Sequence, residues 1–308
     1  MSAEVFPEGH RSGFVAVIGR PNVGKSALMN CLLGQSVAPV SPRPQTTRRR
    51  QLGILTLAQA QIIFVDTPGL HQPLHKLGQR MNALAQEAIR DSDLLLGVFD
   101  VSRRPTAEDE KLAREIQSLQ GNTPVLLALN KVDLIRPDLL PSRLEFFHAL
   151  LPEAEAMAIS ALRGDRRQEL LDRILERLPV GPRYYPQDEI TESFERDIAA
   201  DLIRAAALRL LKDEVPHSIF VKTEEYKERG EQGAYIAATI FVERETQKPI
   251  VIGQKGRMLR DIGTMARREI ESMSGRKVYL DLHVKVEPGW RNDEAALRRF
   301  GFRAGKPQ

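Results

Sequence analysis

Residues Gly19-Arg20-Pro21-Asn22-Val23-Gly24-Lys25-Ser26 stand between the apolar run Phe14–Ile18 and the helically spaced segment Lys25–Leu33. The string has the form G-x-x-x-x-G-K-[ST]. It requires a strand before it and a helix after it, and the flanking pattern predicts both. Its glycines let backbone N–H groups wrap phosphate oxygens, and the helix N-terminus adds the positive end of a dipole. Lys25 can neutralise the outer phosphates, and the Ser26 hydroxyl can ligate Mg2+. Gly19, Asn22, Val23, Gly24, Lys25, Ser26 and Ala27 are therefore the candidate phosphate cradle.

The rest of the first half alternates in the same manner. Gln61–Val65, Leu94–Phe99 and Val125–Leu129 are short apolar runs, and Met157–Ser160 is a weaker last one. Helical patterns fall at Arg80–Arg90, Thr106–Leu119, Asp138–Leu150 and Arg167–Leu178. Buried strands separated by amphipathic helices predict an α/β domain with a doubly wound, mostly parallel sheet over residues 12–179. The proline-rich run Pro179–Pro186, which neither helix nor central strand can cross, opens residues 180–189, which read as a semi-rigid linker.

Three further segments narrow the nucleotide. Asp66-Thr67-Pro68-Gly69 follows a strand, which suits Asp66 to hold Mg2+ through water and the Gly69 N–H to sense a γ-phosphate. Asn130-Lys131-Val132-Asp133 follows the next-but-one strand. The Asp133 carboxylate can accept two hydrogens from the guanine edge, where adenine would present a lone pair. A site built to pair a donor rejects the analogue lacking it by roughly 10⁴–10⁵. Lys131 can cover the base with its stem. The backbone of Ser160-Ala161 can donate to the guanine oxygen. All of these lie at C-terminal strand ends, where open α/β sheets bind ligands. The expectation is GTP and GDP, with Lys25, Asp66 and Gly69 taking part in hydrolysis.

After the linker the pattern changes. A long helix over Ile190–Leu211 precedes alternating strands at Ser218–Glu224 and Tyr235–Glu243. A helix–glycine–helix region follows at Pro249–Met273, then a strand at Lys277–Glu287 with Val278, Leu280, Leu282, Val284 and Val286 on one face. This is a smaller α+β domain over 190–290. Gly253-Gln254-Lys255-Gly256 lies between its helices. Such a turn lets the backbone pass close to phosphates, and Lys255, Arg257 and Arg260 add charge. From Arg244 to Lys277 nine Lys and Arg stand against four acids. With Ile250, Ile252, Met258, Leu259 and Ile262 as an apolar floor, this reads as a KH domain of type II that binds single-stranded RNA. In residues 291–308, Arg291, Arg298, Arg299 and Arg303 stand beside Trp290, Phe300 and Phe302, and this tail is expected to extend the RNA surface by stacking.

Composition removes other classes. Hydrophobic residues make up 42% and charged residues 28% of 308, the balance of a globular chain. One cysteine, Cys31, excludes an internal disulfide and a Cys-rich metal site; among Leu28, Leu32 and Leu33 it is expected to be buried. His71 and His75 are four apart, but Pro73 between them spoils a metal-binding helix face. The apolar runs fall far short of the ~18–20 residues that span a bilayer, and the polar Met1–Gly13 lacks a signal core. A cytoplasmic monomer is the expectation.

In combination these motifs resemble the bacterial Era GTPases, part of the Era/tRNA-modification branch, over residues 12–292. Gln45-Thr46-Thr47-Arg48, Val242-Glu243-Arg244, Gln247-Lys248 and Lys277-Val278-Tyr279-Leu280 carry the likeness together with the strings above. The resemblance implies that Thr47, aligned by Arg48 in preference to Thr46, closes over Mg2+ and the γ-phosphate. It implies Asn22 as a candidate K+ ligand. Leu70 stands where Ras-like enzymes place a water-orienting glutamine, so slow hydrolysis is expected. The implied partners are small-subunit ribosomal RNA near its 3′ end and the 30S precursor, with peripheral association at the inner membrane face. The alternative is an RNA-binding assembly scaffold for which GTP is a structural ligand. The family commonly has an aromatic residue where His283 stands.

Overall fold

The structure is a computed structural model that describes residues 7, 9–35, 38, 40, 47–48, 50–69, 73, 75–191, 195–228 and 233–302. The chain divides into two compact units. The first takes in Met1–Ser36, Arg48–His71 and Met81–Glu192; the second takes in Ser193–Gln308 with Val37–Thr47 and Gln72–Arg80.

The first unit is built on strands β1 (Arg11–Ile18), β2 (Gln51–Thr56), β3 (Ala60–Asp66), β4 (Leu94–Asp100), β5 (Val125–Asn130) and β6 (Glu155–Ala158). Their order is β2-β3-β1-β4-β5-β6. β2 runs antiparallel to β3 and the other pairs are parallel. Every residue of β3 and β4 is buried, as a sheet covered on both faces requires. Helices α1 (Lys25–Leu33), α2 (Lys76–Arg90), α3 (Ala107–Leu119), α4 (Leu140–His148) and α5 (Arg167–Arg177) connect them. α3 starts where Asp109 accepts both the Thr106 N–H (2.9 Å) and the Thr106 hydroxyl (2.8 Å). Its first turn carries Glu108, Asp109 and Glu110, which suit the positive helix end.

The mostly parallel sheet agrees with the sequence reading, but the β2 edge strand has no counterpart in it, and β6 begins two residues early. Gly53 interrupts the apolar run of β2, leaving a weak signal. The proline-rich stretch is tied to the first unit. Val180 bridges Arg11. The Tyr184 and Tyr185 amides donate to the Gln61 side chain at 2.8 and 3.0 Å, and the Phe14 and Tyr184 rings meet at 5.2 Å.

The second unit contains α6 (Glu195–Leu210), α7 (Val215–Ser218), β7 (Phe220–Glu228), β8 (Ala234–Val242), α8 (Lys248–Ile252), α9 (Arg257–Ser274), β9 (Val278–Val286) and α10 (Glu294–Arg299). The sheet order is β7-β8-β9. β8 pairs antiparallel with β7 and parallel with β9. A parallel pair needs a crossover, which α8 and α9 provide. Ile236, Ala238 and Ile240 of β8 pack with Ile203 of α6 and Ile262 and Ile270 of α9. Val278 joins this core, and Leu280, Leu282, Val284 and Val286 pack against it, so the alternating face expected of the last strand is the inward one.

The tail differs from expectation. Trp290, Phe300 and Phe302 are buried and surround Phe220, with Phe300 stacked on it at 4.2 Å. The Trp290 indole donates to the Ser218 carbonyl at 2.8 Å. These rings form a satellite core and cannot lie on bases. Arg303 lies outside the described residues.

Candidate functional site

The phosphate loop takes its shape from its glycines. Gly24 adopts φ +102°, and a Cβ there would come within 2.4 Å of the Asn130 amide nitrogen. That position caps α1, so the helix N-terminus opens onto the loop. Asn22 also takes a left-handed conformation at φ 66° and is exposed. Lys25 is buried, and its ammonium donates to the carbonyls of Gly19 and Arg20 at 3.1 Å each. Burial depresses its pKa to about 8, against the opposing pull of Asp66.

Asp66 ends β3 and is fully buried, and the Ser26 hydroxyl donates to it at 2.8 Å. A hydroxyl and a carboxylate oxygen this close form a hard-oxygen pair of the sort Mg2+ takes. Thr67 donates to the Val17 carbonyl at 3.0 Å, and Gly69 is buried against Pro21 of the phosphate loop. Ala27 follows Ser26 inside the first turn of α1.

The segments expected to read the base are bonded to the phosphate loop. The Asn130 amide donates to the Val23 carbonyl at 2.9 Å and its oxygen accepts the Ala161 N–H at 2.9 Å. Lys131 donates to the Asn22 carbonyl at 2.7 Å. Ser160 donates to Asp133 at 2.6 Å, which fixes the plane of that carboxylate. The structure thus brings together Gly19 to Ala27, Asp66, Gly69, Asn130, Lys131, Asp133, Ser160 and Ala161. Thr47 is buried and counts with the second unit. Thr46, Leu70 and His71 lie outside the described residues. His75 accepts the Gly78 N–H at 2.9 Å, a helix-start contact. Among the described residues, no three His, Cys, Asp or Glu are grouped to hold a metal.

Sequence reasoning missed two positions. Asp100, at the end of β4, accepts from Lys131 at 2.6 Å and from Ser102. Burial pushes its carboxyl up, but the bonds from Lys131 and Ser102 outweigh this and hold it below the usual range. Its place at a C-terminal strand end was the available signal. Arg20 donates to the buried Asp109 at 2.6 Å, joining the phosphate loop to the start of α3; no local motif announces this. Cys31 is only half-buried. Burial raises its thiol pKa, with Arg167 opposing.

In the second unit, Gly253 takes φ +73° and a Cβ there would strike Met258 at 2.6 Å. The turn closes through the Gly256 N–H on the Gly253 carbonyl at 3.1 Å. Gln254, Lys255, Arg257 and Arg260 are exposed around it. A cleft of about 360 Å³ runs between α9 and β9, lined by Gly256, Leu259, Arg260, Arg267, Leu280 and Leu282 among others. Its apolar floor is therefore shared with β9, whereas Ile262, expected in the floor, lies fully buried in the core.

Residues 14–131 match the family described as 50S ribosome-binding GTPase, and residues 214–291 match the KH domain. The chain is 41% identical to Era crystallised with MgGDPNP and nucleotides 1506–1542 of 16S ribosomal RNA, with a TM-score of 0.89. It is 39% identical to a variant of Aquifex aeolicus Era bound to GDP and AlF4−, also at 0.89. Each alignment covers 96% of this chain and 100% of the other. An N-terminal guanine-nucleotide fold, a C-terminal KH fold and this likeness along nearly the whole chain make it a member of the Era family of GTPases.

Proposed function

We propose that this GTPase hydrolyses GTP at the phosphate loop and binds the 3′-end region of small-subunit ribosomal RNA along the cleft between α9 and β9. Its nucleotide state controls the RNA-binding unit during maturation of the 30S precursor. One observation carries the nucleotide half of this reading. The Asn130 side chain ties Val23 of the phosphate loop to Ala161 of the base loop, so both ends of a guanine nucleotide meet one bonded frame.

Ser26, with Asp66 through water and Thr47 from the switch segment, would hold Mg2+. The ion would supply neutralisation of phosphate charge there. Lys25 adds a second cation, and the Gly69 N–H reads the presence of the γ-phosphate. Asn22 is the K+ ligand in this reading, offering the electrostatic help that Leu70 does not give as a side chain. Domain limits at 12–179, 180–189, 190–290 and 291–308 follow from the same reading. Gln254, Lys255, Arg257 and Arg260 face the RNA backbone.

No helix among the described residues is long and apolar enough to cross a membrane. We place the protein in the cytoplasm with its ribosomal substrate. Peripheral membrane association rests on the family resemblance, and salt extraction of membrane fractions tests it.

The decisive experiment is crosslinking to precursor 30S particles in GDP and in a non-hydrolysable GTP analogue. Crosslinks at the 3′ end of the small-subunit RNA whose yield changes with nucleotide are expected. Equal yields would remove the switch, and absence of crosslinks there would remove the target.

A further inference from the structure

Among the described residues β9 is an edge strand of its sheet, and residue 279 borders two cavities along it. The first is the cleft already described, with Arg260 and Arg267 on its α9 wall. The second, about 370 Å³, is lined by Arg267, Lys277 and Glu271, among others. Arg267 belongs to both, so the two are consecutive along α9. The Glu271 carboxylate accepts the Val278 N–H at 2.9 Å and pins the start of β9. Positive charge therefore continues past the end of the first cleft.

The Tyr279 ring points to the opposite side of the strand from Leu280 and Leu282, as strand alternation dictates. It is 67% exposed. Its register partner on β8 is Tyr235, and the two rings stack at 5.7 Å with an interplanar angle of 16°. The Tyr235 hydroxyl faces the Asp281 carboxylate at 3.4 Å. That acid disfavours phosphate on the tyrosine side of the edge, while Arg267 and Lys277 favour it on the helix side. A strand of RNA passing this edge would thus put its backbone toward α9 and its bases toward the rings. One face of an exposed ring, backed by a second ring, is a stacking platform for a base of any identity.

We propose that Tyr279, backed by Tyr235, is a base-stacking subsite for single-stranded RNA where it leaves the α9–β9 cleft past Arg267. The proposal rests on the RNA-binding reading given above. The competing account is a cross-strand aromatic pair that only stabilises the sheet. It predicts altered melting and no change in RNA affinity.

The test uses the full chain with GDP and fluorescein-labelled RNA of twelve nucleotides copied from the 3′ end of small-subunit ribosomal RNA, alongside five-nucleotide fragments taken from each of its ends. Tyr279→Ala should weaken the twelve-nucleotide RNA about tenfold. It should leave at least one five-nucleotide fragment unaffected. Tyr279→Phe should retain the affinity. Tyr279→Trp should retain it too and show indole emission quenched when RNA binds, a readout that survives if the alanine variant fails to fold. Unchanged affinity in Tyr279→Ala, or an unquenched indole, overturns the subsite. Lys255→Glu separates the two levels. Loss of binding there with none in Tyr279→Ala sinks only the subsite, while no RNA binding by the unmodified chain sinks the parent reading.

Discussion

Lys131 and Asp100 form a 2.6 Å ion pair across the ends of adjacent strands β5 and β4. The lysine proposed to cover the guanine plane is thus held by Asp100 as well as by the Asn22 carbonyl. Asp100→Asn removes a partly buried charge-assisted bond of about 1.5–3 kcal/mol. GDP affinity should fall by about tenfold or more with the fold intact, measured by calorimetry. An unchanged affinity would show that Asn22 alone positions Lys131.

In the proposed reading Asp133 faces the donor edge of guanine, and Ser160 fixes the plane of its carboxylate at 2.6 Å. Asp133→Asn replaces an acceptor with a donor. GDP binding should drop by two or more powers of ten, and xanthosine diphosphate, which offers a carbonyl at that edge, should become the better ligand. Competition against a fluorescent nucleotide gives the ratio.

Burial disfavours the charged form of Lys25 and lowers its pKa to about 8. Between pH 8 and its ordinary value of 10.5 the unfolded chain binds more protons at this residue, so its contribution to stability rises with pH across that window. Nucleotide binding runs the other way, since phosphates need the charged form. Above pH 8, binding should therefore take up protons at this residue. Calorimetry in two buffers of different ionisation enthalpy reads the uptake, and none would contradict the depressed value.

Asn22 is exposed on the phosphate loop in a left-handed conformation. GTP turnover should be faster in potassium than in sodium chloride, and Asn22→Ala should abolish the difference while leaving GDP binding within a few-fold. Equal turnover in both salts removes potassium from the mechanism.

Trp290 is fully buried and bonded to Ser218. Trp290→Ala should cost about 3–5 kcal/mol of stability, seen in urea denaturation. The folded fraction should keep its RNA affinity. A selective loss of RNA binding with normal stability would restore the stacking role first read from the tail.

Legibility in the sequence followed the range of the forces involved. β3 and β4 were plain because both faces are buried and their centres, Ile62–Val65 and Leu94–Phe99, carry no charge. The nucleotide loops were plain because phosphate and base chemistry fixes residue types at short spacing. β2 was missed because an edge strand interrupted by Gly53 carries little pattern. Trp290, Phe300 and Phe302 were misread because their fate depends on Phe220, some seventy to eighty residues away, which no local window contains. Asp100 and Arg20 were overlooked for the same reason: each acts through a partner on another segment.

Asp109 offers one oxygen to Thr106 and the other to Arg20. A single carboxylate thereby sets where a helix begins and where a neighbouring loop rests. Exchange of that acid would loosen both at once, so positions 20 and 109 are free to vary only as a matched couple.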